Sequence, residues 1–170
     1  MMQDAVEKTE LNEAGFLEFQ QKTQGTNINT QTLLATDYLN HFNEIVMVLE
    51  MVPDFPDFLD DARNWTPKSY VEHFQGSGFS DKDLAVAAYA QVPERFKQPF
   101  EQTIDQINRL MAISIQRLEV AMEENNLEKL RYAAADTSES IRRLIDFASG
   151  IIHGSQNTMD QNEIDNLLGE

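Results

Sequence analysis

The residues able to do chemistry in this chain are few. Asn40 and Glu44 stand four apart in DYLNHFNE, and on a helix they share a face with Asp37, Met47 and Met51, opposite Leu34, Ile45 and Leu49. An amide and an acid one turn apart can orient a water and meet a cation, though a plain solvated helix face has the same composition. His41, His73 and His153 show no paired ligand spacing, and HExxH, a P-loop, GxSxG and a dinucleotide fingerprint are absent. Asp54, Asp57, Asp60 and Asp61 lack the spaced ligands and the glycine of an EF-hand, so they read as a polar helix face. The chain has no Cys, which removes disulfides, zinc–thiolate sites, iron–sulfur clusters and a thiol nucleophile. No metal site is expected, and no cofactor of the chain's own.

Long helices must position these residues. All five prolines lie between Pro53 and Pro99, and no glycine falls between Gly25 and Gly76 or between Gly78 and Gly150. The first uninterrupted stretch, about Gln31 to Val52, carries Leu34, Tyr38, Phe42, Ile45, Leu49 and Val52 at three- and four-residue steps, the period of an amphipathic helix. The second starts at Pro99, a favoured first-turn residue, and runs to Glu124 through Phe100, Ile104, Ile107, Met111, Ile115, Leu118 and Met122. Asn126 can cap a third, whose stripe runs from Leu127 through Leu130, Ala134, Thr137, Ile141 and Ala148 to Ile152. The connection at Asn125–Asn126 is so short that the second and third helices must fold back on each other.

Between the first and second long helices, Pro and Gly signals mark three short helices, with Asp54, Thr66 and Ser80 as expected caps and Pro67 in a first turn. The aromatic residues Phe55, Phe58, Trp65, Tyr70, Phe74, Phe79 and Tyr89 sit here, placed to plug one end of the bundle, with a docking surface as the alternative. Near the N-terminus a weak helix is expected at Leu11–Lys22. The fold class is therefore all-α: a helical bundle with three long helices, several short ones and a short C-terminal peptide helix. The expected divisions are a partly mobile segment over 1–29, the bundle over 30–154, and a linker with a recognition peptide over 155–170. The long helices either close a bundle alone or pair with a second copy as a homodimer.

Charge bounds the partners. With 29 Asp and Glu against 13 Lys and Arg, the formal charge is −16, opposed to nucleic-acid binding, whose affinity comes largely from cations that neutralise phosphates. The polar, acidic start MMQDAVEKTE is unlike a secretory signal, so a cytoplasmic location is expected. No window approaches the roughly 18 apolar residues of a membrane span, and direct membrane insertion is not expected.

The last segment, MDQNEIDNLLGE, combines a capping-box-like start at Asp160 and Glu163 with an apolar strip of Met159, Ile164, Leu167 and Leu168. A two-turn helix is too short to be stable alone, so the strip should order on docking, against its own bundle or in a partner groove rimmed by Lys or Arg. The segment resembles the CheY-binding peptide at the N-terminus of the flagellar switch protein FliM, with a related segment in FliN. Met159, Gln161, Glu163, Ile164, Asp165, Leu167 and Leu168 match that pattern, while Asp160 replaces its Ser and Asn166 its usual Ala. The acidic C-terminal tail of the chemotaxis phosphatase CheZ, with paired leucines, is similar in placement. The match covers about 11 of the 170 residues.

The resemblance implies a partner, a CheY-type response-regulator receiver, and a test of the bundle. CheZ inserts an acid and an amide, one turn apart, into the receiver's active site, where the amide positions the attacking water and the acid engages a lysine. The receiver supplies the magnesium and the phosphoaspartate. That family's order, Asp then Gln four residues on, occurs nowhere in this chain. The nearest analogue is Asn40 and Glu44 with the order reversed, which makes these two the candidate catalytic residues. Glu94 and Gln98 have suitable spacing, but Pro99 directly after them disfavours a helix. The expectation is a chemotaxis or flagellar regulator that binds a CheY-type receiver through its C-terminal peptide and modulates its phosphorylation, with CheZ-like phosphatase activity as the enzymatic form. The alternative is a non-enzymatic receiver-binding adaptor or scaffold, or a scaffold whose tail closes over its own core. A phosphotransfer protein comes last, since His41 is followed by FNEI and not by the HxxKG of such domains.

Overall fold

In the computed structural model, residues 2–155 and Asn166 are described. They form α1 (Met2–Lys22), a 3-10 turn (Thr36–Leu39), α2 (Asn40–Met51), α3 (Phe58–Asn64), α4 (Tyr70–Gln75), α5 (Lys82–Tyr89), α6 (Glu94–Glu123) and α7 (Leu127–Ile152), with no strand among the described residues. The all-α helical bundle expected from the sequence is the fold observed.

The axis of the fold is the antiparallel pair α6 and α7, about 45 and 39 Å long at 1.5 Å per residue. Their hairpin follows from two asparagines. Asn125 takes the left-handed conformation (φ 51°) that Asn tolerates better than most residues. The amides of Asn125 and Asn126 then close onto the Met122 and Ala121 carbonyls, ending α6. The Asn126 side chain accepts from Lys129 N–H at 3.0 Å and starts α7. At its other end α7 stops the same way: Gly154 is left-handed (φ 108°), and the amides of Gly154 and Ser155 bond the Ile151 and Gly150 carbonyls.

α2 packs on α7, burying His41, Phe42, Ile45, Val46 and Leu49. The first long helix expected over Gln31–Val52 is shorter than that. Asn29 Oδ1 accepts from the amides of Gln31 and Thr32, Leu33 is left-handed (φ 63°), and Ile28 bridges to Ala35, so this stretch is a tight loop. Leu34 and Tyr38 are buried as the period predicts, yet from a loop and a 3-10 turn. Thr32 Oγ1 donates to the Ile152 carbonyl at 2.6 Å and ties that loop to the end of α7.

α6 begins five residues before the expected Pro99, with Pro93 at its N-cap and Pro99 inside it. The proline removes one bond, the one Arg95 C=O would accept, and Arg95 is exposed near the helix start. Glu94 and Gln98 are therefore helical after all. The three short helices are present, but their caps differ from the expected Asp54, Thr66 and Ser80. Asp57, Ser69 and Asp81 hold the N-cap positions, and Ser69 with Glu72 forms a reciprocal capping box that starts α4 beyond Pro67. α1 is also longer than the expected Leu11–Lys22. None of its residues is fully buried, and Phe16 and Phe19 anchor its C-terminal half against the core.

Candidate functional site

The exposed face of α2 carries the candidate residues. Asn40 and Glu44 are both exposed one turn apart, Asp37 precedes them half-buried in the 3-10 turn, and Met47 and Met51 continue the face at 57% and 38% exposure. The opposite face of α2 is sealed in the core, which fixes the direction in which Asn40 and Glu44 point.

Behind this face lies a cluster that connects α2 to α4. His41 is buried, its ring stacked on Trp65 with centroids 4.7 Å apart, and its Nε2 accepts from Lys68 N–H at 2.9 Å. The Tyr38 hydroxyl donates to the Lys68 carbonyl at 2.6 Å, so both backbone groups of Lys68 are pinned to the α2 side. Burial, then the neighbouring His73 and Lys68 charges, depress the His41 pKa to about 4. A neutral imidazole with an unprotonated Nε2 is what the Lys68 bond requires.

His73 packs edge-on to Tyr38, with centroids 5.5 Å apart. Burial and the Lys68 charge lower its pKa below the ordinary value, against the opposing pull of the Asp37 backbone, Glu44 and Asp37. It is thus the imidazole within electrostatic reach of the candidate acid. The phenols behind it have pKa values raised by burial. The Tyr70 hydroxyl accepts from Ala35 N–H at 2.9 Å, and that of Tyr89 donates to Glu101 at 2.6 Å. Tyr70 stacks on Tyr89 with centroids 4.6 Å apart and meets Phe100 near the start of α6 at 6.0 Å, whereas Phe55, 58% exposed, makes edge contact with Phe58.

This geometry sorts the sequence-derived candidates. Asn40 and Glu44 are brought together and open to a partner. A phosphate relay through His41 needs an imidazole nitrogen open to a donor, and this ring is 6% exposed with Nε2 engaged. Asp54 and Asp60 pair with Arg131 and Arg63. Among the described residues no group of three or more His, Asp or Glu could hold a metal ion, and no helix is long and apolar enough to cross a membrane. Met159, Gln161, Glu163, Ile164, Asp165, Leu167 and Leu168 lie outside the described residues. Sequence reasoning did not place His73, Lys68 and Trp65 behind Asn40 and Glu44. The local signal for them was the Ser69–Glu72 capping box, which sets where α4 begins. Comparison with known families, curated proteins and solved structures finds no match for the chain.

Proposed function

We propose that this protein is a cytoplasmic regulator of a CheY-type receiver, which it binds through Met159–Leu168 and presents to the exposed face of α2. The observation that carries the reading is the tail itself: Gln161, Glu163, Ile164, Asp165, Leu167 and Leu168 in the order of a receiver-docking peptide, with acids at 160, 163, 165 and 170 and no Lys or Arg after Arg143. A receiver groove rimmed by Lys or Arg complements it. The exposure of Asn40 and Glu44 one turn apart supports a second contact at the phosphorylation site.

In that contact the Asn40 amide orients the attacking water and the Glu44 carboxylate meets a receiver lysine, while the receiver holds its own magnesium and phosphoaspartate. Positioning is most of what such a partner adds. The absence of the Asp-xxx-Gln order favours a second reading, an adaptor that binds the receiver without dephosphorylating it. Phosphate release from the phosphorylated receiver decides between them. Faster release that is lost in Asn40→Ala and Glu44→Ala supports the enzymatic form. Tail-dependent binding with unchanged or slower release supports the adaptor.

A further inference from the structure

Charge is unevenly spread along this chain, and the unevenness falls on α2. Between Lys22 and Arg63 there are seven acids and no Lys or Arg. That stretch supplies the 3-10 turn, α2, the turn after it and most of α3. Glu50, Asp54 and Asp60 are taken by Arg142, Arg131 and Arg63 at 2.8, 3.0 and 2.8 Å. Glu44 on α2, Asp57 at the start of α3 and Asp61 within it are exposed and form no ion pair among the described residues.

The same stretch carries an apolar strip that the described residues leave open. Met47 and Met51 stand four apart on the exposed face of α2. The Phe55 amide donates to the Met51 carbonyl at 2.8 Å, an i to i−4 bond that carries the helical turn past the end of α2 and sets Phe55 one turn beyond Met51. The Phe55 ring is exposed as well. At 1.5 Å per residue the strip from Met47 to Phe55 is about 12 Å long, a little over two helical turns. Single exposed apolar residues are ordinary, whereas three large ones in line form a patch of the kind that partners cover. Methionine, unbranched and polarisable, adapts to side chains of varied shape.

We infer that this strip is the docking face for a basic amphipathic helix of another protein. The helix lays its apolar side chains along Met47, Met51 and Phe55, and its Lys or Arg residues meet Glu44 before the strip and Asp57 and Asp61 after it. A line of side chains at helical steps is complementary to the apolar line of a second helix. Charge selects the occupant. A second copy would bring the same seven acids against these, and the chain's own end holds no Lys or Arg after Arg143, so both are repelled. A helix edged with Lys or Arg is attracted and supplies the cations that Glu44, Asp57 and Asp61 lack. The face overlaps the one assigned to a receiver above, but the inference rests on neither the tail nor a phosphorylation site.

The probe is the synthetic amphipathic peptide LKKLLKLLKKLLKL, titrated into the full chain labelled at its methionine methyl groups and followed by NMR. The Met47 and Met51 signals should shift saturably, while that of Met2 on α1 stays in place. A peptide of the same composition with its leucines scattered round the helix should bind about tenfold more weakly or worse, as should the first peptide to a Met47→Ser, Met51→Ser chain. Glu44→Gln with Asp57→Asn should weaken binding and flatten its dependence on salt. Shifts confined to Met2, equal binding of the two peptides, or binding unchanged in Met47→Ser, Met51→Ser would overturn the inference. Dimerisation that this variant abolishes would give the face to a second copy, and movement of the Met47 and Met51 signals in a peptide-free Leu167→Ala, Leu168→Ala chain would give it to the tail; either overturns it too. Peptide binding by a chain that takes no receiver removes the receiver reading alone, and receiver binding without peptide binding removes this inference alone.

Discussion

His41 holds three parts of the fold through one ring: it sits on α2, stacks on Trp65 after α3, and accepts the amide that leads into α4. Its pKa, near 4 in the folded chain against 6.5 ordinarily, makes that arrangement pH-sensitive. Because the unfolded chain takes up a proton that the folded ring resists, this contribution is intact above about pH 6.5 and is lost as pH falls towards 4. Urea midpoints followed through Trp65, the single tryptophan, should decline over that interval, and less so in His41→Phe. At neutral pH His41→Phe leaves Lys68 N–H without an acceptor and should cost about 1–3 kcal/mol. Asn40→Ala and Glu44→Ala sit on the exposed face and should each change stability by less than about 0.5 kcal/mol, so a change in receiver turnover would be functional. The apolar period correctly separated Asn40 and Glu44 from the buried side of α2. It could not announce that His41 accepts an amide from a residue 27 positions away, nor that His73 packs edge-on to Tyr38.

Among the elements, the bounds of α7 were legible because Asn126 has the side chain its start requires, although Leu127, expected at the head of its stripe, is 53% exposed and burial begins at Leu130. Asn126→Ala should lower the unfolding free energy by about 1 kcal/mol, measurable by denaturant titration, since it leaves the Lys129 amide without its cap. α6 and α2 were displaced for opposite reasons. A proline six residues into α6 was taken for its first turn, although a long helix tolerates one missing bond near its start. Buried Leu34 and Tyr38 continued the helical period of α2 while the Asn29 side chain and left-handed Leu33 held the backbone in a loop. Periodicity reports which side chains face the core, not the backbone that carries them there.

For the whole molecule, a surface with a formal charge of −16 and an acidic, leucine-bearing tail favours a basic partner groove. Binding to a CheY-type receiver should accordingly weaken as salt rises. Burial of each leucine is worth roughly 1.5–3 kcal/mol, so Leu167→Ala or Leu168→Ala should cost about tenfold or more in affinity. The most direct test is a titration of a CheY-type receiver, with and without a phosphoryl mimic, against the full chain and its Leu167→Ala, Leu168→Ala double variant. Saturable binding to the full chain that is lost in the variant is the predicted result. Equal binding by both chains, or none by either, would contradict the account.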